Sequence, residues 1–183
     1  MNNLRNWADP RRVFLLTYDR IDHLILTCKK GVVGVAVDGA SCASKANRLQ
    51  EGDWLLLRLT EYKDLAEHLL INPPCRVTGR PVLQRDNTPN AIWPELLWQE
   101  ELEKQRMIYP MRIPVEFDDE VTWNPRITWD TLADLKLRGN DGAFLETPIQ
   151  WGIKFACNVI DAPYEVRKVV SMIRRHGSDQ RPP

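Results

Sequence analysis

Val13-Phe14-Leu15-Leu16-Thr17-Tyr18-Asp19, then Ile21, Leu24, Ile25 and Cys28, then Gly31-Val32-Val33-Gly34-Val35: read in order, this stretch is a strand, a helix and a second strand. The first run is β-branched and aliphatic and suits a buried strand, while the next four apolar residues fall at helical spacing. Asp19 is placed to cap the helix start, Gly31 ends it, and Val32 to Val37 reads as the second strand.

Working outward, Ser41 to Leu49 reads as a short helix closed by the turn Glu51-Gly52-Asp53, and Trp54 to Thr60 as a strong third strand. Arg76 to Leu83 reads as another strand, which Pro81 confines to an edge or to a bulge near Gly79. The polar loop Asp86-Asn87-Thr88-Pro89-Asn90 leads to Ile92-Trp93-Pro94. Glu95 to Met107 is rich in helix formers, and Ile108 to Phe117 reads as a strand whose prolines, Pro110 and Pro114, again point to an edge. Thr128 to Leu137 reads as a helix, Gly139 to Gly142 as a turn, and Ala162 to Arg175 as a final amphipathic helix with Val166, Val169, Val170 and Ile173 inward. The reading is one mixed α/β domain over 13–175, after an N-terminal extension (1–12) and before a polar tail or linker (176–183).

Composition narrows the function. At 183 residues and 43% hydrophobic content the chain can bury one sizeable core. Its 25 Lys+Arg balance 25 Asp+Glu, so binding to a phosphate backbone has to come from a local patch. The apolar runs are strand-sized, well short of the ~20 residues a membrane helix needs, and no membrane partner is expected. Four widely spaced cysteines without a secretory leader point to reduced thiols in a cytoplasmic protein. Seven tryptophans must be either buried or displayed for binding.

Motifs for chemistry are sparse. Gly31-Val32-Val33-Gly34 matches no phosphate-binding loop, and His23, His68, His176 and the cysteines form no closely spaced ligand pair, so neither a cofactor nor a metal is expected. Asp53 with Glu61-Tyr62-Lys63 supplies the letters of a metal-dependent nuclease, but Trp54 to Thr60 reads as one continuous strand with Asp53 in the turn before it. Glu100, Glu101 and Glu103, beside Lys104 and Arg106, read as a solvated helix face.

Taken together, three segments resemble the EVE and YTH branch of the PUA-like superfamily, with the likeness running from about Val13 to Ile173. They are the opening strand, helix and Gly31-Val32-Val33-Gly34-Val35; the turn and strand Arg48-Leu49-Gln50-Glu51-Gly52-Asp53-Trp54-Leu55-Leu56-Leu57; and Ile92-Trp93-Pro94 followed by Tyr109-Pro110-Met111-Arg112-Ile113-Pro114-Val115. The resemblance implies a curved, β-barrel-like sheet flanked by helices, and a non-catalytic module that holds one modified base in an aromatic pocket. Val33 stands where the family's motif usually has a pocket tryptophan, so one wall of the cage is either missing or supplied from elsewhere.

A ring facing a flipped base contributes ~1–3 kcal/mol, which makes loop aromatics the pocket candidates. Trp93 leads, with Trp98 and Tyr109 as the replacement wall, Val33 and Gly34 at the family's motif, and Tyr18 and Asp19 where the resemblance places the reading of the base edge. Arg76, Arg80, Arg112 and Lys154 are candidates for phosphate contacts. The expected ligand is methylated DNA, read by a specificity domain of an McrB-type restriction protein with a fused or associated motor or nuclease subunit. An RNA modified-base reader, the nuclease built on Asp53, Glu61 and Lys63, and a protein-interaction module are the alternatives.

Overall fold

The computed structural model describes residues 7–18, 20–37, 44, 46–59, 69–72, 75–84, 95–117, 122–128, 131–132, 134–138, 144 and 158–178. In chain order these form β1 (Val13–Tyr18), α1 (Ile21–Lys30), β2 (Val32–Val35), β3 (Trp54–Leu59), β4 (Leu69–Asn72), β5 (Cys75–Val77), β6 (Val82–Leu83), α2 (Gln99–Lys104), β7 (Met111–Phe117), β8 (Thr122–Thr128), β9 (Asn158–Ile160) and α3 (Pro163–Ser178). The nine strands join in one curved sheet of order β2-β7-β5-β3-β1-β9, with β4 reached from β3, β8 from β4, and β6 from β7.

The centre of the sheet is the parallel pair β1–β3, in register from Val13 opposite Trp54 to Tyr18 opposite Leu59. Both faces of this pair are covered, which is why its sequence runs apolar without alternation. Val13, Leu15, Trp54 and Leu56 pack under α3 on the outer face, against Val166, Val169 and Ile173. Phe14, Tyr18, Leu55 and Leu57 face the inner core with Val33, Cys75, Met111 and Ile113. Followed across the sheet, Val13, Trp54, Arg76 and Glu116 are successive partners and share the outer face.

Turns hold the register. Gly31 ends α1 with φ 63°, and its N–H donates to the Thr27 carbonyl at 2.9 Å. Asp53, 3% exposed, accepts from Arg12 Nη2 at 2.6 Å and from the Gln50 N–H at 2.8 Å, tying the N-terminal segment to the turn before β3.

Several sequence expectations are corrected. The residue at the start of α1 is Arg20, which makes no side-chain cap; Asp19 lies outside the described residues. Arg76 to Leu83 is not one strand but two, β5 and β6, divided at Thr78–Pro81. β7 is not an edge, because β2 pairs along one side of it and β5 and β6 along the other. Pro114 is tolerated there because its missing N–H falls at the β5–β6 break, where its carbonyl accepts from the Thr78 N–H at 3.0 Å. The helix expected from Glu95 starts only at Gln99 and stops at Lys104, where Gln105 turns left-handed at φ 49°. Of the expected helix over Thr128 to Leu137, the described residues are helical at 131–132 only, with strand β8 ending at Thr128 and residues 134–135 in a turn. Strands β4, β8 and β9 were not expected from the sequence.

Candidate nucleic-acid interface

At the β2–β7 end of the sheet the outer face is covered not by α3 but by residues 95–110. β2 alternates, so Val33 faces the inner core while Val32 and Gly34 face outward. Gly34 is the partner of Arg112 in β7, and the Trp98 indole lies flat against this small residue. A Cβ at position 34 would fall within 2.7 Å of three indole atoms, Cη2, Cζ2 and Cζ3.

Trp98 is 1% exposed, and Arg112 and Glu101 are each 0% exposed. The Arg112 guanidinium carbon sits 4.4 Å from the Trp98 ring centre, a cation–π stack, while its Nη2 donates to both Glu101 oxygens at 3.1 and 3.2 Å. The Glu101 carboxylate also accepts the backbone N–H groups of Leu97, Ile108 and Tyr109, each at 2.9 Å, and of Trp98 at 3.4 Å. One buried carboxylate thereby closes the loop before α2, the loop after it and the entry to β7. Burial pushes this carboxyl up, but the N–H groups of Tyr109 and Leu97, the Arg112 charge and the Ile108 N–H outweigh it and hold it below the usual carboxylate range. Burial also lowers the Arg112 guanidinium, against the opposing pull of Glu101 and Glu95, without removing its charge. Among the described residues, Arg112 Nε and Nη1 and Trp98 Nε1 have no acceptor.

The cluster reaches the surface at Tyr109. Its half-buried ring meets His23 edge-on at 5.0 Å and Trp98 at 5.2 Å between centroids, and its hydroxyl donates to Glu100 at 2.8 Å. Arg20, at the start of α1, lies within electrostatic reach of Glu100 and Tyr109, and Glu95 within reach of Arg112. His23, in the first turn of α1, and Leu97 and Trp98, just before α2, thus meet in this cluster.

Of the pocket candidates, Gly34, Trp98 and Tyr109 come together here. Tyr18 does not; it shares the inner face of β1, where burial pushes its phenol up and its hydroxyl bonds Thr27 Oγ1 at 2.8 Å. Val33 also faces inward, since neighbours in a strand cannot share one face. Asp19 and Trp93 lie outside the described residues. Trp98 corrects the expectation of a cage wall: with one face on Gly34 and Arg112 stacked on its ring, it presents none to a base. Arg112 corrects the expectation of a phosphate contact, because no part of it meets solvent.

Arg76 is half-exposed but pairs with its cross-strand partner Glu116 and stacks on Trp7 at 5.2 Å; Arg80 is exposed, and Lys154 lies outside the described residues. Glu101 overturns the expectation of a solvated acidic face. Its place in the first turn of α2 is the usual one for an acid reaching back to the helix start, a signal hidden by a tryptophan at the cap and by two neighbouring glutamates. His23 carried no distinguishing signal. For the nuclease reading, Asp53 is committed to Arg12 and the turn, and Glu61 and Lys63 lie outside the described residues. Among the described residues no group of acids, histidines or cysteines is placed to hold a metal, and no helix is long and apolar enough to cross a membrane.

No protein-family model and no curated protein sequence matches the chain. Solved structures do. The Pho92 YTH domain, in complex with m6A, aligns over 92% of this chain and 87% of its own at 12% identity and a TM-score of 0.53. The YTH domain of Zygosaccharomyces rouxii MRB1 protein, in complex with N6-methyladenosine RNA, aligns over 89% and 86% at 11% identity and a TM-score of 0.50. At such identities the likeness establishes the fold: the curled sheet and flanking helices are of YTH type.

Proposed function

We propose that this chain is a non-catalytic reader of a modified base, with N6-methyladenine in RNA as its first ligand. The observation that carries this reading is the match of nearly the whole chain to a fold whose solved neighbours are in complex with m6A in one case and with N6-methyladenosine RNA in the other. Local geometry supports it. The start of α1 and the approach to α2 converge on one cluster, and the half-exposed Tyr109 ring stands at its rim.

In this reading Trp93 and Tyr109 supply the stacking faces, and Asp19 accepts a hydrogen bond from an exocyclic amine. The buried Glu101–Arg112–Trp98 assembly positions the loops and does not touch the ligand. Methylated DNA, with an associated motor or nuclease subunit, has no separate observation in its favour and enters as an arm of the test.

The test is fluorescence-anisotropy binding to single strands of about ten nucleotides, within the usual site size of single-strand binders. RNA and DNA are each offered unmodified, with N6-methyladenine or with 5-methylcytosine. Methylated RNA is expected to bind about tenfold or more tightly than its unmodified twin, and Trp93→Ala or Tyr109→Ala to abolish the difference, as the loss of a stacked ring worth ~1–3 kcal/mol requires. Equal binding across the panel overturns the reading; preference for the methylated DNA strand moves the ligand to DNA.

A further inference from the structure

The chain as a whole is neutral, but α3 is not. It carries Arg167, Lys168, Arg174 and Arg175 against the single acid Glu165, in a protein whose 25 cations equal its 25 acids. A neutral protein that binds nucleic acid needs such a local concentration of charge.

The inward face of α3 is occupied by Val166, Val169, Val170 and Ile173 on the central sheet. Its outward face carries Tyr164, Arg167, Lys168, Ser171 and Arg175, spaced by three or four residues so that they form one stripe. From Tyr164 to Arg175 the stripe runs about 16 Å along the axis at 1.5 Å per residue. It forms one wall of a groove of about 490 Å³ whose other wall is Thr131, Asp134 and Leu135. Among the described lining residues, Arg167, Lys168 and Arg175 stand on one wall and Asp134 on the other.

Two features give this groove a ligand class. Tyr164 is 63% exposed, the most exposed large hydrophobic side chain described, and Lys168 Nζ lies 4.7 Å from its ring centre. Lys168 shares its charge with the buried Glu165 at 3.2 Å and is held in place by it, while Arg167 and Arg175 are exposed. An open aromatic ring beside a line of cations is the arrangement that stacks an unpaired base and follows its phosphates. A duplex would keep its bases from the ring, and a purely acidic peptide brings no ring to stack on it.

We infer that the α3 groove is a second nucleic-acid contact, which takes the sugar–phosphate chain and one unmodified base of a single strand. The groove lies on the helix that covers the β1–β3 end of the outer face, whereas the Trp98–Arg112–Tyr109 cluster covers the β2–β7 end. It is therefore separate from the place proposed for the modified base. The inference rests on the reading of the chain as a nucleic-acid binder but not on its choice of modification.

The experiment measures binding of fluorescein-labelled single-stranded RNA, with and without one N6-methyladenine, to the parent chain, to Tyr164→Ala and to Arg167→Ala/Arg175→Ala. All three side chains are exposed, and an unchanged circular-dichroism spectrum and Tm confirm folding. Tyr164→Ala is expected to weaken both strands equally, by about tenfold, as the loss of one stacked base implies. The arginine pair is expected to weaken both and to lower the slope of log affinity against log salt by about 1.4, at ~0.7 per phosphate on a single strand. Unchanged affinity in both variants overturns the inference, as does a parent chain that binds no strand. Loss of binding confined to a fluorescein-labelled poly-glutamate peptide overturns it in favour of an acidic protein partner. A parent that binds both RNAs equally sinks the modified-base reading alone, since the groove is then still read on either strand.

Discussion

From Val13 to Leu16 and from Trp54 to Leu57, the two central strands have apolar neighbours on both faces; β2 and β7 instead set a glycine, a guanidinium and an indole on their outer face. The first region is held by burial of area, which has no direction and tolerates exchange of shape. The second is held by one carboxylate that has to meet several donors at once. One sheet thus contains a forgiving end and an exacting end, and the exacting end is where we propose the base pocket.

The sharpest way to break this contrast is Glu101→Ala. It leaves Arg112 charged and buried without its partner and frees several backbone N–H groups, so a loss of about 3–5 kcal/mol in urea unfolding is expected. Replacing both members, Glu101→Gln with Arg112→Met, is expected to cost less than the sum of the two single changes; strict additivity would show that the pair is not a unit. The same carboxylate gives a pH signature. Its folded pKa is depressed, so its contribution is complete above the ordinary carboxylate range and is lost as pH falls through the folded value. Thermal unfolding followed from neutral to acidic pH should show Glu101→Gln losing less stability than the parent.

A smaller effect is expected from Gly34→Ala. The added methyl meets the Trp98 ring, and overpacking of this kind costs about 1–3 kcal/mol, read from the denaturation midpoint. Near-UV circular dichroism should change with it if the indole is displaced, and an unaltered spectrum at parental stability would remove the glycine–tryptophan contact from the account. Smallest of all, Leu56→Met in the central pair is expected to cost less than about 1.5 kcal/mol, because the flexible thioether refills a similar volume. A loss as large as that of Glu101→Ala would erase the contrast between the two ends.

Much of the forgiving end was legible in the sequence. The apolar runs of β1 and β3, the helix closed at Gly31, the turn before Trp54 and the inward valines of α3 each carry a local signal, and each stands where that signal places it. The exacting end was not. Glu101 resembles its solvated neighbours in every local respect, Arg112 resembles a surface arginine, and Pro114 argues for an edge until the break between β5 and β6 supplies a place for its missing donor. Strands β8 and β9 escaped because their partners, β4 and β1, are distant in the chain, and β4, although it follows its partner β3 directly, meets β3 at a single residue pair and takes the rest of its pairing from β8.

The sequence by itself determined which residues turn together, since periodicity, helix ends and turn glycines are properties of a few consecutive residues. The tertiary structure alone decided what covers each face. Whether Trp98 is a wall or a core ring, and whether Arg112 meets a phosphate or a carboxylate, depends on which distant segment arrives opposite it, and burial is a property of that meeting and not of the residue.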